Sequence, residues 1–333
     1  MPGRRSLDDR AHPGPLCRRR MKPRQTALSD RSRPDPPSRG WRVFLTLVTA
    51  LPQSFLSRGV GLLADLPLPP LLRTLVLRSF VAWTGADPGE AERPLGEYPS
   101  VGAFFVRRLR PGVRSWPDDR DVPASPVDGI VGELGALDGL TALQAKGRPY
   151  SVAQLLGTPE DGSRFDGGAF LTLYLSPRHY HRIHAPVSGR VTKAHYLPGR
   201  LLPVNAPAVA GLPELFPGNE RLVCFLDSGL GQVAVVAVGA LNVGRISAAF
   251  DPEWNRGKGS HPSVSNRGRA RKEEVRRYSP PGRVTRGDEL MAFHLGSTVV
   301  LLFEPGRITW EAPLAPGVEI RLGAPLGSGR PGP

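Results

Sequence analysis

An α+β fold, with amphipathic N-terminal helices followed by a mainly antiparallel β-sheet core, is predicted for this chain of 333 residues. Two textures along the sequence carry that prediction. Before residue 95, apolar side chains recur at helical spacing; beyond residue 100, short apolar runs alternate with Gly, Pro and Asp, the punctuation of a β protein. A hydrophobic content of 40% is ordinary for a globular chain, so one folded domain with appendages is the expected organisation.

Residues 1–40 are rich in Arg, Pro and Ser without hydrophobic periodicity and read as a disordered basic tail, with Met21 a second candidate start. From Trp41 the pattern changes. Phe44, Leu47, Val48 and Leu51 fall on one helical face before Pro52 ends the turn. After the Pro-rich break Leu66–Pro70, a second stripe of Leu72, Leu75, Val76, Phe80 and Trp83 has Arg73 and Arg78 lying off it. The region 41–95 therefore reads as helical and interfacial, its apolar face suited to a lipid boundary or to the protein's own core. Within the β-rich part, 96–333, Ala169–Leu175, Arg221–Asp227, Gln232–Val238 and Thr298–Phe303 are strand candidates. Ser228-Gly229-Leu230-Gly231 is a hairpin connection between the second and third of them. Residues 251–286, polar, basic and rich in Gly and Pro, are expected to form a mobile surface loop. No internal repeat is visible.

The net charge of +14 is unevenly spread: residues 1–40 carry +7 and residues 251–286 carry +6. A body so near neutral argues against a nucleic-acid groove, and charge held in two appendages suits an anionic membrane surface. Cys17 and Cys224 make no disulfide framework, so a reducing compartment is expected. Val43–Leu51 is too short to span a bilayer, and no secretory cleavage pattern follows it. The expected location is peripheral, on the cytoplasmic face of the cell membrane.

Chemistry concentrates in a few segments. Leu295-Gly296-Ser297-Thr298 opens the apolar run Val299–Phe303. By itself a Gly-Ser-Thr turn is common. Three further segments accompany it, in order: Phe104-Phe105-Val106-Arg107-Arg108-Leu109-Arg110-Pro111-Gly112, Pro126-Val127-Asp128-Gly129, and Tyr180-His181-Arg182-Ile183-His184-Ala185-Pro186-Val187-Ser188-Gly189. Weaker echoes stand at Lys146–Tyr150, Pro203–Asn205 and Asn219–Arg221. Over roughly residues 40–325 this ordered set resembles the phosphatidylserine decarboxylases, and it is far more specific than any single motif.

A serine hydroxyl is a weak nucleophile at neutral pH; an imidazole must take its proton, and a carboxylate must hold that imidazole in the right tautomer. The resemblance assigns Ser297 as nucleophile, His184 as base and Asp128 as orienter. It implies cleavage between Gly296 and Ser297 into fragments 1–296 and 297–333 that stay associated, leaving a pyruvoyl cofactor made from Ser297. Glycine at 296 leaves the attacked carbonyl open. The resemblance further implies that the amine of phosphatidylserine condenses with this group as a Schiff base. Carbon dioxide leaves, His181 protonates the carbanion, and phosphatidylethanolamine is released. No metal is implied, and a homodimer is.

Two positions depart from the family's pattern. Met291 stands where a glycine is usual, and His179 where an aspartate precedes the tyrosine. The larger residue at 291 is expected to slow or reshape self-cleavage. Three rival readings stay open: a decarboxylase of another serine-headed lipid, a non-maturing scaffold protein at the membrane surface, and, disfavoured by the near-neutral body, a nucleic-acid-binding protein.

Overall fold

A computed structural model describes residues 53–144, 148–204, 206–241, 245–255, 262–265, 272–295 and 298–332. All of them belong to one compact unit, Arg33–Pro333. The tail 1–40, the helix expected after Trp41, and the pair Gly296 and Ser297 lie outside the described residues.

Two helices lead: α1 (Gln53–Asp65) and α2 (Pro70–Thr84). The second was expected and starts where Pro sits without cost, at the first helical turn; it stops at Gly85, whose φ of 75° suits a residue lacking Cβ. The first was hidden in the sequence by Gly59 and Gly61, which weaken the helical signal beyond Pro52. From α2, Leu77, Phe80 and Val81 pack on Tyr98 and Phe104, the latter in the short helix α3 (Val101–Phe105). Leu71, Leu72, Leu75 and Trp83 on the same helix remain exposed, as do Leu62 and Leu63 of α1.

The core is an eight-stranded sheet. Its strands in chain order are β1 (Gly129–Ala136), β4 (Ala169–Tyr174), β6 (Gly189–Leu197), β7 (Arg221–Ser228), β8 (Gly231–Val238), β10 (Glu274–Val284), β12 (Thr298–Phe303) and β14 (Glu319–Ile320). They lie in the spatial order β10-β6-β7-β8-β12-β4-β1-β14, and every neighbouring pair is antiparallel. Small pairs add β2 (Thr141–Gln144) to β3 (Arg148–Ser151) and β13 (Ile308–Trp310) to β15 (Gly327–Gly329), and β5 (Arg182–His184), β11 (Glu289–Phe293) and β9 (Ile246–Ala248) form a three-stranded sheet. The α+β prediction and its four strand candidates are borne out, within a residue at their ends.

Strand β12 explains why its sequence is apolar throughout. Side chains alternate between the two faces of a strand. Val299, Leu301 and Phe303 enter one core, which the small sheet covers with Ile183, Met291 and Phe293. Val300 and Leu302 enter the other, covered by short helices that contribute Leu155, Leu156 and Phe216. With both faces covered there is no polar side to show.

The loop expected across 251–286 is corrected at its end. Glu274–Val284 is β10, the edge strand paired with β6. It reads as loop because an edge strand bonds on one side only and can carry protective features. Arg276, Arg277 and Arg283 line it, and Pro280 and Pro281 fall where its register shifts between Arg277 and Gly282. Asp251, from the start of the same segment, accepts hydrogen bonds from Arg276 at 2.8 Å and Tyr278 at 2.9 Å.

Candidate active site

The segment leading to the expected cut passes from the small sheet into the large one. Strand β11 lies between β5 and β9, and its last residue, Phe293, donates its N–H to the carbonyl of His181 at 2.9 Å. His294 donates its N–H to Arg245 O at 2.9 Å, and its Nε2 meets Ser247 Oγ at 3.1 Å. Leu295 then has φ 134°, outside the regions open to a residue with a side chain. Such a conformation costs of the order of 1–3 kcal/mol and is held only where its surroundings dictate it. Immediately beyond residues 296 and 297, Thr298 is locked between Tyr174 on β4 and Val238 on β8.

His184 ends β5. Its Nδ1 lies 2.6 Å from Gly287 O, an acceptor only, so the ring proton is assigned there. Nε2 faces the Tyr180 hydroxyl at 3.1 Å. Burial lowers the pKa of His184 despite the support of the Gly287 carbonyl, and burial raises that of Tyr180. A neutral imidazole with its lone pair at Nε2 results. Gly287 is suited to this duty: its φ is 96°, and a Cβ would come within 2.9 Å of the Trp116 ring. On β11, His184 stands opposite Glu289, the first residue of the strand, whereas His181 bonds Phe293, the last. Of the two histidines it is His181 whose backbone touches the segment entering Gly296.

The ring of His181 is fully buried, stacked 3.9 Å from Phe105. Burial, then the charge of Arg107, push its pKa well below the ordinary histidine value.

Asp128 was expected to orient His184; the structure gives that task to Gly287. Asp128 Oδ1 accepts from Arg114 Nε at 3.0 Å and from the Leu322 N–H at 2.7 Å, while Oδ2 accepts from Arg114 Nη2 at 2.6 Å. A carboxylate only 8% exposed needs a counter-charge, and a guanidinium fork meets that need better than a neutral imidazole. Arg114 Nη2 also donates to Glu90 at 2.8 Å. Burial opposes the charge on Arg114, but its bonds to Asp128 and Glu90 outweigh that and raise its pKa.

These groups line a cavity of about 160 Å³ with Arg178, His179 and Glu319. His179 Nδ1 accepts the Ser176 N–H at 2.9 Å, and Nε2 faces Glu319 at 3.3 Å. Met291, the other departure, is fully buried opposite Ile183 and Ala248, filling core volume a glycine would leave empty. Tyr180, Gly287, Arg107 and Arg114 received no role from sequence reasoning, although three of them stand within or beside the quoted motifs.

Burial lowers the pKa of His181, His184 and His179 alike, so each binds its proton less readily than in the unfolded chain. Below about pH 6.5 the unfolded chain takes up more protons than the native one. The stability these groups contribute is thus full above that pH and lost as pH falls toward their folded values. We expect the Tm to fall between about pH 7.5 and about pH 5.5; a Tm that stays level or climbs on acidification would contradict this.

The family model for phosphatidylserine decarboxylase matches residues 101–328, a span holding Asp128, His181, His184 and Ser297. A protein of Anaeromyxobacter sp. (strain K) named phosphatidylserine decarboxylase proenzyme is 45% identical over 286 residues, which is 86% of this chain and 98% of its own length. One of the same name from Myxococcus xanthus (strain DK1622) is 43% identical over 286 residues with the same shares. A third, from Brevibacillus brevis, is 37% identical over 289 residues, again 86% and 98%. Matched by the family model over most of its length, and similar to these relatives over 86% of it, the chain belongs to the phosphatidylserine decarboxylase family.

Proposed function

We propose that this chain is a proenzyme that cuts itself between Gly296 and Ser297 and then converts phosphatidylserine to phosphatidylethanolamine and carbon dioxide at a lipid surface. Family membership supports the reaction. The observation that carries the site of cutting is the strained Leu295, placed between a strand bonded to His181 and the central strand β12.

In this reading Ser297 Oγ attacks the Gly296 carbonyl, moving the acyl bond from nitrogen to oxygen, and the proton of Oγ passes to a base. His184 is that base, neutral and fixed in one tautomer by Gly287. Asp128 acts at one remove, as part of the Arg114 network. Elimination across the Cα–Cβ bond of residue 297 then releases the upstream chain as a carboxylate. Hydrolysis with loss of ammonia leaves a pyruvoyl group.

The residues around the junction fit such a group. Thr298 Oγ1 and both ring nitrogens of His181 are buried without hydrogen-bond partners among the described residues. A ketone at 297 supplies an electron sink for the departing carboxyl group. His181 supplies the proton that replaces it, and the surrounding apolar residues, Phe105 among them, exclude water.

Lipid docking is assigned to α1 and α2. Leu62, Leu63, Leu71, Leu72, Leu75 and Trp83 are exposed together with the basic Arg78, a combination suited to the boundary between acyl chains and anionic headgroups. No helix among the described residues is long and apolar enough to cross a membrane, and the proposed attachment is peripheral.

Incubating the purified chain with phosphatidylserine vesicles tests the reading. Expected are sedimentation with the vesicles, release of carbon dioxide, and two polypeptides with the masses of 1–296 and 297–333, the smaller with a blocked amino terminus. A chain that binds vesicles yet stays whole and releases nothing would favour the non-maturing scaffold instead.

A further inference from the structure

Arg107 follows α3 and is 3% exposed. Its guanidinium lies 4.8 Å from the Phe104 ring centroid, and Nη2 donates to the Arg178 carbonyl at 3.3 Å. Nε and Nη1 are buried with no hydrogen-bond partner among the described residues. Nor does any carboxylate among the described residues touch Arg107. Asp128 and Glu90 act on it only through space, since both are already gripped by Arg114, and burial is the largest influence on its pKa, which is lowered.

A buried charge with idle donors is destabilising, and folded proteins rarely carry one without a use for it. The Arg107 charge reaches His181, which is fully buried and whose ring has no partner of good hydrogen-bond geometry among the described residues beyond the support of the His179 backbone. The two idle nitrogens of the Arg107 guanidinium, buried and with no counter-charge in contact among the described residues, are what an anion would complete. The backbone of His181 is bonded to Phe293, so that histidine sits at the strand that leads to residue 297.

We infer that Arg107 is the residue that receives the phosphodiester of the lipid headgroup in the active site. This rests on the proposed decarboxylation, and the chemistry of that reaction selects the phosphate over the substrate's carboxylate. The carboxylate loses its charge as carbon dioxide leaves, so a cation on it would stabilise the ground state and raise the barrier. The phosphodiester keeps its charge from substrate to product. A guanidinium fork matches two of its oxygens, where an ammonium would act as a point charge. Binding has a second effect: the anion offsets the Arg107 charge that depresses the proton affinity of His181. His181 thereby becomes a better proton holder when lipid is in place.

The test is calorimetric titration with a short-chain phosphatidylethanolamine, which retains the phosphodiester and lacks the carboxylate. It reads binding alone, so it holds whether or not the chain cuts itself or releases carbon dioxide, and failure of the proposed reaction is seen separately in the vesicle assay. Arg107→Met is expected to weaken this binding roughly 10- to 100-fold, the range for hydrogen bonds to charged groups. Its Tm should be level or higher, because an uncompensated charge has been removed. Arg107→Lys, which keeps charge and length without the fork, should also weaken binding, and it serves as the readout if the methionine variant does not fold. Unchanged binding in Arg107→Lys or in a folded Arg107→Met would overturn the inference. So would an equal loss of affinity for an O-acylserine lacking phosphate, which would move the guanidinium to the carboxylate.

Discussion

Replacing Ser297 with alanine should leave a single chain of 333 residues that releases no carbon dioxide from phosphatidylserine. Without Oγ nothing attacks the Gly296 carbonyl, so neither the cut nor the ketone is made, and two functions vanish with one atom. The rest of the molecule should be untouched. The strands on either side of the cut, β11 and β12, are held by the ladders of their own sheets, with β12 bonded along its whole length to β4 and β8. For the same reason the wild-type fragments should elute together under native conditions and part only on denaturation, since β12 takes both its edges, and much of the cover on its faces, from fragment 1–296. Intact mass of the two proteins, denatured and native, checks both statements. Cleavage of the alanine variant between residues 296 and 297, or undiminished decarboxylation by it, would remove Ser297 from the mechanism.

Arg114→Ala is the substitution with the largest expected effect on stability. Its side chain is 6% exposed and it serves two carboxylates at once, Asp128 at 11% and Glu90 at 18%. Removing a partner from a buried ion pair leaves the remaining charge without compensation, at a cost of about 3–5 kcal/mol. Here Asp128 is left with the Leu322 N–H alone while Glu90 keeps Arg321 at 3.3 Å, and the variant is expected within that range. Urea unfolding in the uncut Ser297→Ala background measures it without the complication of two fragments. The mechanism makes a further demand: Arg114→Met combined with Asp128→Asn should recover a good part of the loss, because the stranded charge has gone. A loss below about 1 kcal/mol in Arg114→Ala would mean the pair behaves as a solvated surface bridge.

Maturation in these variants bears on the site itself. Asp128 and His184 were expected to touch, and in the structure they do not: Gly287 orients the imidazole, and Arg114 takes the carboxylate. A two-residue relay is replaced by two separate anchorages, both fed by short segments of chain that sequence motifs single out without saying what they contact. Met291 is a similar case. As a departure from a family glycine it suggested interference with cutting; as a fully buried side chain in β11 it fills the core between the two sheets.

What the sequence determined by itself is what is written locally. Alternation and apolar runs located β4, β7, β8 and β12 because hydrogen bonding and burial of a strand act residue by residue, and the ordered motifs pointed to the family and proposed Asp128, His181, His184 and the Gly296–Ser297 junction as candidates. Edge strand β10 escaped, since pairing on one side imposes no apolar pattern, and α1 escaped because two glycines dilute its helical signal. Tertiary structure alone decided which charges meet. The choice of Arg114 for Asp128, the burial of Arg107 without a carboxylate partner among the described residues, and the strain at Leu295 depend on segments far apart in the chain arriving at one place. Electrostatic partnership is settled by distance and burial, and neither is encoded at a single position.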